Sequence, residues 1–211
     1  MSTTSDTSEF DADTLGSASN VMLLAPSLGT EGSRMCGKLL SVERPSEEAV
    51  LAVLLDDSPD DWLDRWERTV GPKRPARTSF VTADEQTRSV AAGTGASSAL
   101  PGNMTIHTTS SPSDLTGLGM RISEQLSDWQ ADGNRIVVDF DSLTTLLNYG
   151  EMQSVFKFMH VLKGRIEASG AVAHYHMDPA AHDTQEINTF KSLMDAVVEV
   201  NGDGTYSVSS R

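Results

Sequence analysis

The apolar positions fall into short continuous runs separated by stretches of helical spacing. Asn20–Ala25 (NVMLLA), Ala49–Leu55 (AVLAVLL) and Ile136–Val138 within Asn134–Leu147 (NRIVVDFDSLTTLL) show no alternation, as expected of strands buried on both faces of a parallel sheet. Arg77–Thr82 (RTSFVT), Met104–Thr108 (MTIHT) and Ala171–Tyr175 (AVAHY) read as further strands. Between them, apolar residues recur every three or four positions, the pattern of helices with one buried stripe. These sets are Met35, Cys36, Leu39 and Leu40; Trp62, Leu63, Trp66 and Val70; Leu115, Leu118, Ile122, Leu126 and Trp129; Met152, Val155, Phe156, Met159, Leu162 and Ile166; and Ile187, Phe190, Leu193 and Met194. Helix starts are marked at Ser58-Pro59-Asp60-Asp61, at Ser111-Pro112-Ser113-Asp114, and by a capping box of Asp183 with Glu186. Gly133 and Gly170 mark helix ends. Asn201–Gly204 (NGDG), between Ala196–Val200 and Thr205–Val208, is a hairpin signal.

Strands and helices alternate from Asn20 to Met194. This predicts an α/β fold: one three-layer domain over residues 20–211, with a mostly parallel sheet, helices on both faces, right-handed crossovers and a C-terminal antiparallel hairpin at the edge. Residues 1–19 are rich in Ser, Thr and Asp and read as a disordered acidic arm; 84–103 read as a mobile surface loop.

Charge and cysteine usage narrow the classes. The net charge of -14 comes from 30 acidic against 16 basic residues spread along the chain. It predicts an acidic, solvated surface of the kind that stays soluble at high salt, and no nucleic-acid partner, since no basic patch is visible. No apolar run reaches the roughly 18 residues needed to span a membrane, and no basic-then-apolar leader opens the chain, so a cytoplasmic protein without a membrane partner is expected. The single cysteine, Cys36, is expected to exclude a disulfide framework and a cysteine-based metal site within one chain, and to be buried rather than reactive.

The candidate chemistry lies at strand ends. Asp139 and Asp141 alternate on one strand, followed by Ser142. Beyond the carboxyl end of a parallel strand, a carboxylate and a hydroxyl can hold magnesium or orient a water; equally, Asp141 and Ser142 can cap the next helix. Pro26–Gly32 (PSLGTEG) joins a strand to a helix, the layout of a phosphate-binding loop. His174 and His176 share a strand face, with Asp178, His182 and Asp183 just after. They read as a metal or phosphate cluster or, more plainly, as a buried hydrogen-bonded histidine and a capped helix. The plain reading is preferred because no cysteine joins them and the spacing fits no standard zinc motif. Trp62 and Trp66 are expected to pack in the core rather than stack on a ligand.

The loop after the first strand, the Asp56-Asp57 pair after the second and Phe140–Leu147 (FDSLTTLL) occur in the order found in RecA-type P-loop ATPases, and the chain resembles their KaiC-like branch. With DLTGLG at Asp114–Gly119 and HMDPAAHD at His176–Asp183, Asn20–Arg211 resembles a group of small HTR-like or KaiC-like proteins of salt-loving archaea. The resemblance implies ATP and magnesium as cofactors, and a nucleotide site drawn from Ser27, Gly29, Thr30, Gly32, Ser33, Arg34, Asp141 and Ser142. It makes Asp141 the magnesium-side carboxylate and Asp56 or Asp57 the water-activating group. The family loop is GxxxxGK[ST], whose lysine reaches the terminal phosphates. Here Glu31 stands at the lysine position and Gly32 at the hydroxyl position; a two-residue insertion would bring Ser33 and Arg34 there, still without a lysine. A carboxylate at about 4 Å would repel a phosphate charge by roughly 1–4 kcal/mol. Aspartate in place of the family's glutamate would misplace a base by about 1 Å, costing about a hundredfold in rate. The sequence therefore predicts a regulatory or scaffolding protein with impaired or absent hydrolysis, acting through protein partners or self-association. An unconventional magnesium-dependent ATPase or nucleotide sensor is the alternative.

Overall fold

A computed structural model describes residues 4–6, 10–27, 30–40, 44–83 and 102–210. Gly29 and most of the stretch read as a surface loop lie outside the described residues. Among the described residues, fifteen strands and α-helices follow one another: β1 (Thr4–Asp6), β2 (Asn20–Leu24), α1 (Thr30–Leu40), β3 (Glu48–Leu54), α2 (Pro59–Thr69), β4 (Arg77–Ala83), β5 (Met104–Thr109), α3 (Leu115–Trp129), β6 (Arg135–Asp141), α4 (Leu143–Tyr149), α5 (Met152–Ser169), β7 (Val172–Met177), α6 (Thr184–Lys191), β8 (Ala196–Val200) and β9 (Thr205–Ser210).

The strands form one sheet in the order β1-β9-β8-β2-β7-β6-β3-β4-β5. From β8 to β5 every neighbouring pair is parallel. The C-terminal hairpin is present, but its first strand, β8, runs parallel to β2; β9 is antiparallel to it and is itself paired to β1. The hairpin therefore does not form the edge expected of it. Part of the stretch read as a disordered arm is packed: Thr4–Asp6 pair with β9, and the Phe10 ring meets Tyr206 edge-on at 5.5 Å between centroids. That aromatic contact gives residue 10 an apolar anchor that composition alone hides.

Two cores flank the sheet. One lies under α3, α4, α5 and α6 and takes Met22, Val138, Phe140, Tyr175 and Phe190. The other lies under α1 and α2 and takes Val21, Leu23, Met35, Trp62, Trp66 and Val137. Both helix faces are built as the periodicity predicts. Ser58 caps α2 in a capping box with Asp61, and Asp183 caps α6 with Glu186. Gly170 ends α5 in the left-handed conformation that glycine adopts without penalty. At α3 the cap is Asp114, accepting from the Gly117 amide, rather than Ser111. Ser142 caps the short helix α4, as one of its two readings has it; seven residues carry too little periodicity to mark the helix itself. Among the described residues no helix is long and apolar enough to cross a membrane.

Candidate functional site

Parallel strands bring their carboxyl ends to one side of the sheet, and β2, β3, β6 and β7 meet there. The ends are stitched together by backbone bonds from Ala25 N–H to Met177 O at 3.2 Å and from Leu55 N–H to Asp141 O at 2.9 Å. Over them lies a crevice of about 220 Å³, lined by Ser27, Gly32, Ser33, Asp56, Asp57, Arg65, Asp141, Ser142 and His176 among others. That is below the roughly 300–1,000 Å³ of pockets that enclose drug-sized ligands.

The register of β6 and β7 decides which side chains face α1 and α2. Asp139 stands directly beside His174 across the parallel ladder. Two residues on, Asp141 and His176 keep the same face. His176 lies between two acceptors, with Nδ1 3.2 Å from Asp141 Oδ1 and Nε2 3.0 Å from the Ala25 carbonyl. Satisfying both requires two N–H donors, which only the imidazolium supplies. Burial works against that charge, but the hydrogen bond and charge of Asp141 win and raise the His176 pKa. Burial would likewise push the Asp141 carboxyl up; His176 and Arg65 outweigh it and hold the pKa below the usual value.

Arg65 projects from α2 into the same place. Its Nη1 pairs with Asp57, and its Nη2 lies 3.0 Å from Asp141 Oδ2 and 3.9 Å from Asp139 Oδ2. The guanidinium thus bridges the two carboxylate positions that a metal-and-water site would draw on. Asp56 accepts from the Thr145 hydroxyl at 3.2 Å. The Ser142 hydroxyl accepts the Thr145 amide at 3.0 Å and lies 3.0 Å from its hydroxyl. With the Thr145 proton given to Asp56, Ser142 donates to Thr145 and one of its two lone pairs caps α4.

The structure brings Ser27, Gly32, Ser33, Asp56, Asp57, Asp141 and Ser142 to one crevice and leaves Thr30 and Arg34 outside its lining. Arg34 instead pairs with Glu31, the residue at the lysine position, at 2.7 Å. Gly32 is closely packed: a β-carbon there would sit 3.0 Å from Ala25 Cβ and 3.3 Å from the Pro26 carbonyl, so these neighbours would have to give by a few tenths of an ångström. Ser27 donates its amide to Asp178 at 3.0 Å, tying the loop to the end of β7. His182 is held by Glu186 at 3.3 Å and Thr144 at 3.1 Å, a packed helix-cap histidine.

Three participants escaped the sequence reading. Arg65 occupies the buried stripe of α2, at Trp62, Arg65, Trp66 and Thr69; a charge in that stripe was the signal. Trp62, correctly read as core, also donates Nε1–H to Asp139 at 2.8 Å. Cys36, distant in sequence, joins Asp139 with its sulfur 3.8 Å from Oδ1, so a cysteine does reach the histidine cluster.

No curated protein matches the chain. Residues 18–200, which hold every element from β2 to β8 and all the residues of this site, match a family of unknown function (DUF7504), and the chain belongs to that family.

Proposed function

We propose that the protein is a regulatory or scaffolding member of its family, built on a degenerate RecA/KaiC-like fold in which ATP hydrolysis is impaired or absent. The observation that carries this reading is Arg65, which ties Asp57 and Asp141 together across the crevice. A magnesium ion needs carboxylate oxygens with free lone pairs. Here one carboxylate is shared between a guanidinium and an imidazolium, and the serine beside it caps a helix. Glu31, held by Arg34, adds a negative charge where a triphosphate needs a positive one. The role then falls to surfaces that recognise partner proteins or a second copy of the chain, in a cytoplasmic setting. Exposed Met120 and Val161 flank a groove of about 570 Å³ between α3 and α5, the kind of apolar patch that marks such contacts.

Steady-state ATP hydrolysis in molar potassium chloride tests the reading. No turnover above background is expected from the wild type with magnesium. Turnover that disappears in Asp141→Ala would instead favour the second reading, a magnesium-dependent ATPase or nucleotide sensor using Asp141, Ser142 and Asp56 or Asp57. That reading draws on the gathering of these four residues around one crevice.

A further inference from the structure

Beneath the crevice floor lies a second group of polar side chains that the proposed function does not use. Cys36 on α1, Asp139 on β6 and His174 on β7 each offer one ligand atom, and these atoms lie within 4.8 Å of one another. Asp139 and His174 are 1% exposed and Cys36 is 8% exposed. Neither ring nitrogen of His174 has a hydrogen-bond partner. An imidazole buried without hydrogen-bond partners pays the desolvation of two polar atoms, a cost that a bound cation would offset at one of them.

The spacings fit a small tetrahedral cation. Asp139 Oδ1 is 3.5 Å from His174 Nδ1 and 3.8 Å from Cys36 Sγ. Around tetrahedral zinc, with bonds of about 2.0–2.3 Å, the corresponding edges are about 3.3 and 3.5 Å. Movements of a few tenths of an ångström would close these two edges, and the third, between Cys36 Sγ and the His174 ring, is within 4.8 Å. The other carboxylate oxygen is already fixed: Trp62 Nε1–H donates to Oδ2 at 2.8 Å, the outer hydrogen bond that orients a metal-binding carboxylate. There are also two ways in. Cys36 lines the crevice, and His174 lines a separate cavity of about 250 Å³ beside Val21 and Leu39. We propose that Cys36, Asp139 and His174 form a binding site for a thiophilic divalent cation of the zinc class, pinning α1 to the two central strands.

The chemistry balances without redox change. The Cys36 thiol gives its proton to solvent and its sulfur lone pair forms the new bond, while His174 binds through a neutral nitrogen. The thiolate and the Asp139 carboxylate together offset the two positive charges of the ion. Solvent from the crevice completes the shell, as in sites with three protein ligands and an open position. The site uses different residues from the proposed function, so each can fail without the other.

The test is titration of the full-length protein with cobalt(II) chloride, then zinc chloride, in molar potassium chloride after removal of metal by chelation. Cys36 is the only cysteine, so a thiolate-to-cobalt charge-transfer band reports this site and no other. The expected result is that band, with intense visible bands of tetrahedral cobalt, saturating at a single ion per chain and displaced by zinc. Cys36→Ser should abolish the band, and His174→Gln should weaken binding by at least about tenfold to a hundredfold. Circular dichroism establishes that each variant is folded. No thiolate band in a folded wild-type sample, or cobalt binding unchanged in folded Cys36→Ser, would overturn the proposal.

Discussion

The two faces of the central sheet are built from the same strands and follow opposite rules. On β6, Ile136, Val138 and Phe140 point toward α3 and α5 into an apolar cluster. The residues between and after them, Val137, Asp139 and Asp141, point toward α1 and α2. β7 repeats the division, with Ala173, Tyr175 and Met177 on the first face and His174 and His176 on the second. One face is a packed apolar layer. The other gathers two carboxylates, two histidines, a thiol and a guanidinium within a few side chains of one another, with Asp139, His174 and Cys36 buried. Burying charge is expensive unless it is paired, and nothing in the fold of β6 demands it, since the apolar face shows that the same strands pack well without it. The polar set is therefore what the fold carries, and the apolar face is what allows it to.

The largest expected effect comes from breaking the apolar face. Phe140→Ala, at a fully buried position against Phe158 and Tyr175, should cost about 3–5 kcal/mol, read as a lowered denaturant midpoint with unchanged slope. On the polar face, Arg65→Met should cost about 2–4 kcal/mol, because Asp57 and Asp141 lose their shared cation. The sharper measurement is the double variant with Asp141→Asn, which should recover at least about 1 kcal/mol of that loss. Strict additivity would mean that Arg65 acts by packing alone. Trp62→Phe keeps the aromatic packing on Trp66 and Phe80 but removes the donor to Asp139, for about 1.5–3 kcal/mol.

The smallest effect lies at the opposite end of the sheet. Asp195 accepts from the Asn20 amide at 2.9 Å and from Lys163 at 2.5 Å. Burial would raise its pKa, but Lys163 and Asn20 outweigh it and lower it. A carboxyl with a lowered folded-state pKa adds stability above its unfolded value of about 3.9, and that stability is lost as pH falls through the folded value. Asp195→Asn should therefore cost about 1–2 kcal/mol at pH 7 and almost nothing once the pH has fallen below the lowered folded-state pKa. Parallel stability curves for variant and wild type across that range would contradict the assignment.

The alternation of runs and stripes made the fold legible, and the Ser58 and Asp183 caps were readable because their partners lie three residues away. What stayed hidden depends on contacts between distant segments. The hairpin was visible at Asn201–Gly204, but that β8 would join β2 in parallel is set by the opposite end of the chain. At the site, Asp141 and Ser142 were each marked by position, and two readings stood open. The structure shows Ser142 as a cap and Asp141 as a paired ion. The groups that pair with Asp141 could not be placed without the register of β6 on β7 and the rotation of α2. Cys36 joined the histidine cluster for the same reason: 103 residues separate it from Asp139 in sequence.

On the proposed function, Arg65 and His176 engage the Asp141 carboxylate from within and leave the crevice unable to take a metal-bound triphosphate. Calorimetric titration of folded wild-type protein with magnesium and ATP in molar potassium chloride tests it most directly. The account predicts no binding heat in the wild type. Micromolar binding that is lost in Asp141→Ala would contradict it, because the carboxylate would then be serving the ligand and not Arg65.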